Sequence, residues 1–141
     1  MRYLSKEERR EAILQAAMRV ALAEGLAAMT VRRIAAEAGV ATGQVHHHFA
    51  SGGELKSLAF VRVIRELLDA DVVGENAGWR ERLHSMLGSD DGGLEPYIRL
   101  WREAQILASR DPEIKAAYVL TMEMWHQETV AIIRAGADAN A

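Results

Sequence analysis

Apolar positions along this chain recur at spacings of three and four, the period of an amphipathic α-helix, and no stretch keeps a two-residue alternation. Ser5 and Glu8 have the spacing of a reciprocal N-terminal cap. A first helix is therefore predicted to begin after Ser5, with Ile13, Leu14, Ala17, Met18, Val20 and Ala21 as its apolar stripe. Gly25 should end it in the left-handed conformation. Thr30 is the next cap, for a short helix over 31–38 stopped by Gly39, and a second short helix covers 42–49. Ser51 and Glu54 repeat the capping spacing ahead of a longer helix over about 53–73. After a break at 74–78 come a helix over 79–87, a polar loop at 88–93 and two helices over 94–109 and 112–134. Pro112 suits a first turn, where its missing N–H costs nothing. Residues 135–141 lack an apolar stripe and should fray. The pattern predicts an all-α fold, with a three-helix head over 1–52 and a helical body over 53–141.

The segment VRRIAAEAGVATGQVHHHFA, residues 31–50, meets the steric demands of two short helices meeting near a right angle. Ala35 is small where the helices touch. Gly39 tolerates positive φ in the turn. Val45 is a branched residue to bury against the first helix, with Ile34, Val40 and Phe49 completing a small core. This is the helix-turn-helix spacing, although small-residue helix pairs also occur in ordinary bundles.

The formal net charge of −3 hides an asymmetry. Residues 1–65 carry ten basic and six acidic groups, and residues 66–141 seven basic and fourteen acidic. A basic head on an acidic body points to a polyanion meeting the head alone. There is no cysteine, which removes disulfides and thiolate metal sites. No apolar run reaches membrane-spanning length, and the N-terminus has no apolar signal core, so a soluble cytoplasmic protein is expected.

With its flanks, the motif resembles the TetR/AcrR family of transcriptional regulators. The resemblance covers about residues 7–60: REAILQAAMRVALAEG, the link LAAMT, VRRIAAEAGVATGQVHHHF, then S-x-x-E-L. It implies a repressor released from double-stranded operator DNA by a small, partly apolar effector, acting as a homodimer. It further implies that Thr30 and Arg33 contact phosphates and that Thr42, Gly43 and Gln44 open the recognition helix toward base edges. His46 and His47 would stand where the family often has aromatic residues touching phosphate, sugar or thymine methyl, and His48 would lie toward the inside of the helix pair or a phosphate. Glutamine can pair with adenine in a bidentate way, and glycine lets the backbone approach the groove wall. Three histidines facing phosphate would make binding weaken as pH rises from about 6 to 8. One departure stands out: the family usually has a phosphate-binding lysine where this chain has Gly52, and Lys56 is a turn further on. The chain is also shorter than family members, and the family's last helices are expected to be missing.

In the body, Tyr97, Trp101, Tyr118, Met122 and Trp125 fit two readings, a plain core face or a ligand pocket lined by aromatics. A metal site is not expected, because consecutive helical residues such as His46, His47 and His48 point about 100° apart. No cofactor and no enzymatic activity are expected: the chain has no glycine-rich phosphate loop, no nucleophile elbow and no H-E-x-x-H. The alternative function is a helical ligand-binding or protein-interaction module that has lost DNA binding.

Overall fold

A computed structural model describes residues 4–70, 77–87 and 93–139, and these form seven α-helices with no strand among the described residues. The helices are α1 (Lys6–Glu24), α2 (Val31–Ala38), α3 (Thr42–His48), α4 (Gly52–Asp69), α5 (Trp79–Met86), α6 (Glu95–Leu107) and α7 (Pro112–Ala139). A 3-10 turn, Leu26–Ala28, joins α1 to α2. The predicted break at 74–78 and loop at 88–93 lie largely outside the described residues.

The capping chemistry sets most boundaries. Ser5 and Glu8 form the reciprocal box, and Thr30 Oγ1 accepts from Arg33 N at 3.0 Å. Ser51 Oγ accepts from Glu54 N, but the Glu54 carboxylate reaches back one residue further than expected, accepting from Ala50 N at 2.6 Å. Gly39 closes α2 in the left-handed region at φ 71°. Gly25 also has positive φ, but its ψ of 174° is extended rather than left-handed, so its conformation differs from the expected cap.

One buried cluster runs without a break from head to body. Ile13, Leu14, Ala17, Val20 and Ala21 of α1 join Ile34 and Ala35 of α2, Val45 of α3, and Phe49. Leu55, Phe60, Val63 and Ile64 of α4 extend it to Leu100 of α6 and Ile114 of α7. Val40 is not part of it. It follows Gly39 in the turn and stays 36% exposed, because a residue outside both helices has no helix beneath it to cover.

Two further expectations fail. The fourth helix stops at Asp69, and Ala70 is extended. The tail does not fray at 135: α7 continues to Ala139 because Ile132 and Gly136, one turn apart, are buried, and Gly136 lies under the Trp79 ring, where any Cβ would overlap.

Head and body are tied by two carboxylates. On one side, Arg62 of α4 makes a two-point ion pair with Glu11 of α1, at 2.6 and 3.3 Å. On the other, Glu103 of α6 accepts Leu26 N–H at 2.8 Å and Ala27 N–H at 2.9 Å, satisfying the free donors of the 3-10 turn.

Candidate nucleic-acid interface and body cavity

α2 holds α3 by packing Ile34 and Ala35 against buried Val45 and Phe49, with the left-handed Gly39 turning the chain between them. That arrangement leaves Thr42, Gly43, Gln44, His46 and His47 exposed. An added Cβ at Gly43 would meet nothing within 4 Å, so this glycine is not required by the packing of the chain itself. Thr30 sits exposed at the head of α2, its hydroxyl oxygen engaged as the cap.

Arg33 is placed differently from its carried-over role. Its guanidinium bonds Glu24 at 2.6 Å and Glu37 at 3.2 Å, and Glu37 also bonds Arg19 at 3.1 Å. Hydrogen bonds from Arg19 and Arg33 hold the Glu37 carboxyl below its usual value, while Glu24 and then Glu37 raise the Arg33 guanidinium. A phosphate would have to displace a carboxylate to reach it.

His48 turns inward. Both ring nitrogens are shielded from solvent and bond to nothing, while the ring meets that of His47 edge-on at 5.1 Å. Burial, then His47, Lys6, Arg9 and Arg10, hold its imidazole below the ordinary value. Its charged form is thus disfavoured in the folded chain. The sign for folding follows. The unfolded chain takes up this proton as pH falls through about 6.5, while the folded chain resists it. Stability should fall over that interval and level off below the lowered folded value. His48→Leu should flatten the difference between urea midpoints at pH 7.5 and 5.5; an unchanged difference would remove His48 as its source.

The sequence reading missed the first turns of α1 as part of this surface. Lys6 and Arg9 line an open notch of about 450 Å³ together with Gly43, Gln44, His47 and His48. Arg10 stacks on the Phe49 ring at 4.7 Å. The signal was available in the basic residues of KEERR, but only the fold brings them beside α3. At the start of α4, an added Cβ on Gly52 would lie 3.2 Å from Val31 Cγ2, and one on Gly53 2.7 Å from Glu113 Oε1. Both glycines sit at close contacts.

The body holds a partly open cavity of about 350 Å³ between α4, α5, α6 and α7, within the size range of small-molecule sites. Tyr97, Trp101, Met122 and Trp125 line it, with Leu67, Met86, Ile98 and Ile132 supplying further apolar wall and Arg82, Ser85 and Glu128 polar groups. Both indoles are pinned: Trp101 Nε1–H donates to Thr121 Oγ1 at 3.0 Å, and Trp125 Nε1–H to the Met86 carbonyl at 3.1 Å. The Thr121 hydroxyl in turn donates to the Tyr118 carbonyl at 2.8 Å. Tyr118 does not line the cavity; it packs on the continuous core. No group of three or more metal-ligating side chains occurs among the described residues, and no helix among them is long and apolar enough to cross a membrane.

Residues 13–55 match the profile of bacterial regulatory proteins of the tetR family. The chain is 36% identical over 74 residues to the HTH-type transcriptional repressor DrrR1 of Streptomyces coeruleorubidus, covering 52% of this chain and 27% of that protein. It is 33% identical over 112 residues to the HTH-type transcriptional repressor KstR2 of Mycobacterium tuberculosis, covering 72% of this chain and 54% of that one. It thus spans from about a quarter to about half the length of these curated relatives. Among solved structures, a candidate transcriptional regulator from Streptomyces coelicolor A3(2) superposes with a TM-score of 0.65 at 26% identity, over 91% of this chain and 75% of that one. A candidate regulator from Saccharomonospora viridis, solved with choline, shares the fold at a TM-score of 0.69 and 24% identity, over 94% of this chain and 72% of that one. The N-terminal head of this chain, over residues 13–55, thus matches the tetR family of bacterial regulatory proteins.

Proposed function

We propose that the protein is a DNA-binding transcriptional repressor whose hold on double-stranded operator DNA is released by a small, partly apolar effector. The observation that carries this reading is the exposure of Thr42, Gly43, Gln44, His46 and His47 on one short helix, inside the segment that matches the family. Gln44 reads a base edge, and the histidines and Thr30 contact the backbone. The cavity under Trp101 and Trp125 takes the effector. Two copies acting together would span successive half-sites on one face of the duplex. Operation in the cytoplasm, with 1–52 as the DNA-binding unit and 53–141 as the effector-binding and dimerisation unit, belongs to the same reading.

Selection of bound sequences from a random duplex pool tests it. A defined motif should emerge, and Gln44→Ala should relax it at one base pair by about 1–3 kcal/mol. Failure to enrich any sequence would favour the second reading, a helical ligand-binding or interaction module without DNA binding. That reading draws on Gly52 in place of a cation and on the carboxylates around Arg33.

Gly43 separates fold from function. Because a methyl here meets only solvent, Gly43→Ala should leave the fold intact and stabilise α3 by about 0.5–1 kcal/mol. The same methyl would stand between backbone and groove wall, so affinity for the selected sequence should fall about tenfold, equivalent to roughly 1.4 kcal/mol. Thermal melts and a binding titration on one preparation measure both. Unchanged affinity would mean that the backbone does not approach the DNA at this point.

A further inference from the structure

The cations of the head are not equivalent. Arg19 and Arg33 are neutralised by Glu37 and Glu24, and Arg62 by Glu11. Arg10 lies over the Phe49 ring. Lys6 and Arg9 differ: both are exposed on the first two turns of α1, and neither makes an ion pair among the described residues. Both line the notch whose opposite wall is Gly43, Gln44 and His47, on the exposed side of α3. Arg32, on α2, also lacks a carboxylate partner among the described residues but does not line this notch. The start of α4, at Gly52 and Gly53, brings no cation.

We propose that the notch formed by Lys6, Arg9 and His47 receives a backbone phosphate of duplex DNA, so that cationic anchoring comes from the start of α1 rather than from Arg33. The inference rests on the DNA-binding reading and adds to it the place where the backbone is held. Unpaired cations are the groups that can release counterions on meeting phosphate, whereas Arg33 would first have to give up a carboxylate. The direction of the His48 shift agrees, since Lys6, Arg9 and Arg10 all disfavour its protonation and therefore face the same space. Position also fits: with α3 in the major groove, the notch beside its exposed side meets the strand bordering that groove, and the contact is independent of sequence.

The test uses the full chain and a 30-base-pair duplex pool of random sequence, with affinity followed against salt concentration. Lys6→Gln/Arg9→Gln should reduce the log–log salt slope by about 1 for each residue lost. Lys6→Arg/Arg9→Lys should retain it, and Arg33→Gln should change it by less than half as much as either single variant at Lys6 or Arg9. Far-UV circular dichroism checks that the variants fold. A wild-type slope in the double glutamine variant, or a larger reduction from Arg33→Gln, would overturn the assignment of the notch while leaving DNA binding in place. If wild-type chain binds no duplex at low salt, the DNA-binding reading and this inference fall together.

Discussion

Gly25→Ala is expected to lower the stability of the folded chain by about 2–4 kcal/mol. Gly25 adopts φ 91° and ψ 174°, a region open almost only to glycine. A Cβ there would also lie 2.7 Å from Glu103 Oε2. The carboxylate would have to withdraw from Leu26 N–H and Ala27 N–H, which it accepts at 2.8 and 2.9 Å. Backbone strain and the lost tie thus act together. Urea unfolding of wild type, Gly25→Ala, Glu103→Ala and the double variant separates them. The glycine substitution should cost less in the Glu103→Ala background, where the collision is gone and only the strain remains. A cost within about 0.5 kcal/mol of zero for Gly25→Ala would contradict both arguments.

Phe60→Ala should cost about 3–5 kcal/mol, the range for emptying a buried aromatic site. Phe60 is fully buried on α4, the helix that packs against both α1 and α7. The effect should appear as one shifted transition. Circular dichroism follows every helix, whereas fluorescence follows Trp79, Trp101 and Trp125, all in the body. Because a single buried cluster links the two parts, the two probes should give coincident curves for wild type and variant. Separate midpoints would show that the head holds its core without the body.

What could be read from the sequence follows from where each piece of information resides. Ser5 with Glu8, Thr30 and Gly39 act within one turn of themselves, and each performs its expected local task. Ala35, Val45 and Phe49 were identifiable because the helix-turn-helix core closes over about fifteen residues. Val40 satisfied the same apolar pattern yet lies outside it, since periodicity cannot tell a turn residue from a helical one. Arg33 was assigned to phosphate through family likeness alone, and its occupation by Glu24 and Glu37 depends on how α1 and α2 cross. For His48 the sequence leaves open the inside of the helix pair or a phosphate, and the downward shift of its imidazole comes first from burial, then from His47 and the α1 cations, which only the fold brings together. The end of α7 was misread because the Trp79 ring that covers Gly136 comes from more than fifty residues earlier, beyond the reach of any local pattern. In the body, Tyr97, Trp101, Met122 and Trp125 line one cavity, while Tyr118 packs on the core, a division that a shared helical spacing does not reveal.

The tie between Glu103 and the 3-10 turn also imposes an order on biosynthesis. Leu26 N–H and its carboxylate acceptor are 77 residues apart. At about 5–20 residues per second, a ribosome needs roughly 4–15 seconds to travel that distance. Throughout that interval the nascent head has its cap at Thr30 and its helix-turn-helix spacing, but the amides of the preceding turn have only water to bond. Leu100, which completes the buried cluster from α6, is made just before Glu103, and Ile114 follows shortly after. The head therefore emerges first and is finished late, with its apolar faces within reach of chaperones until the body arrives.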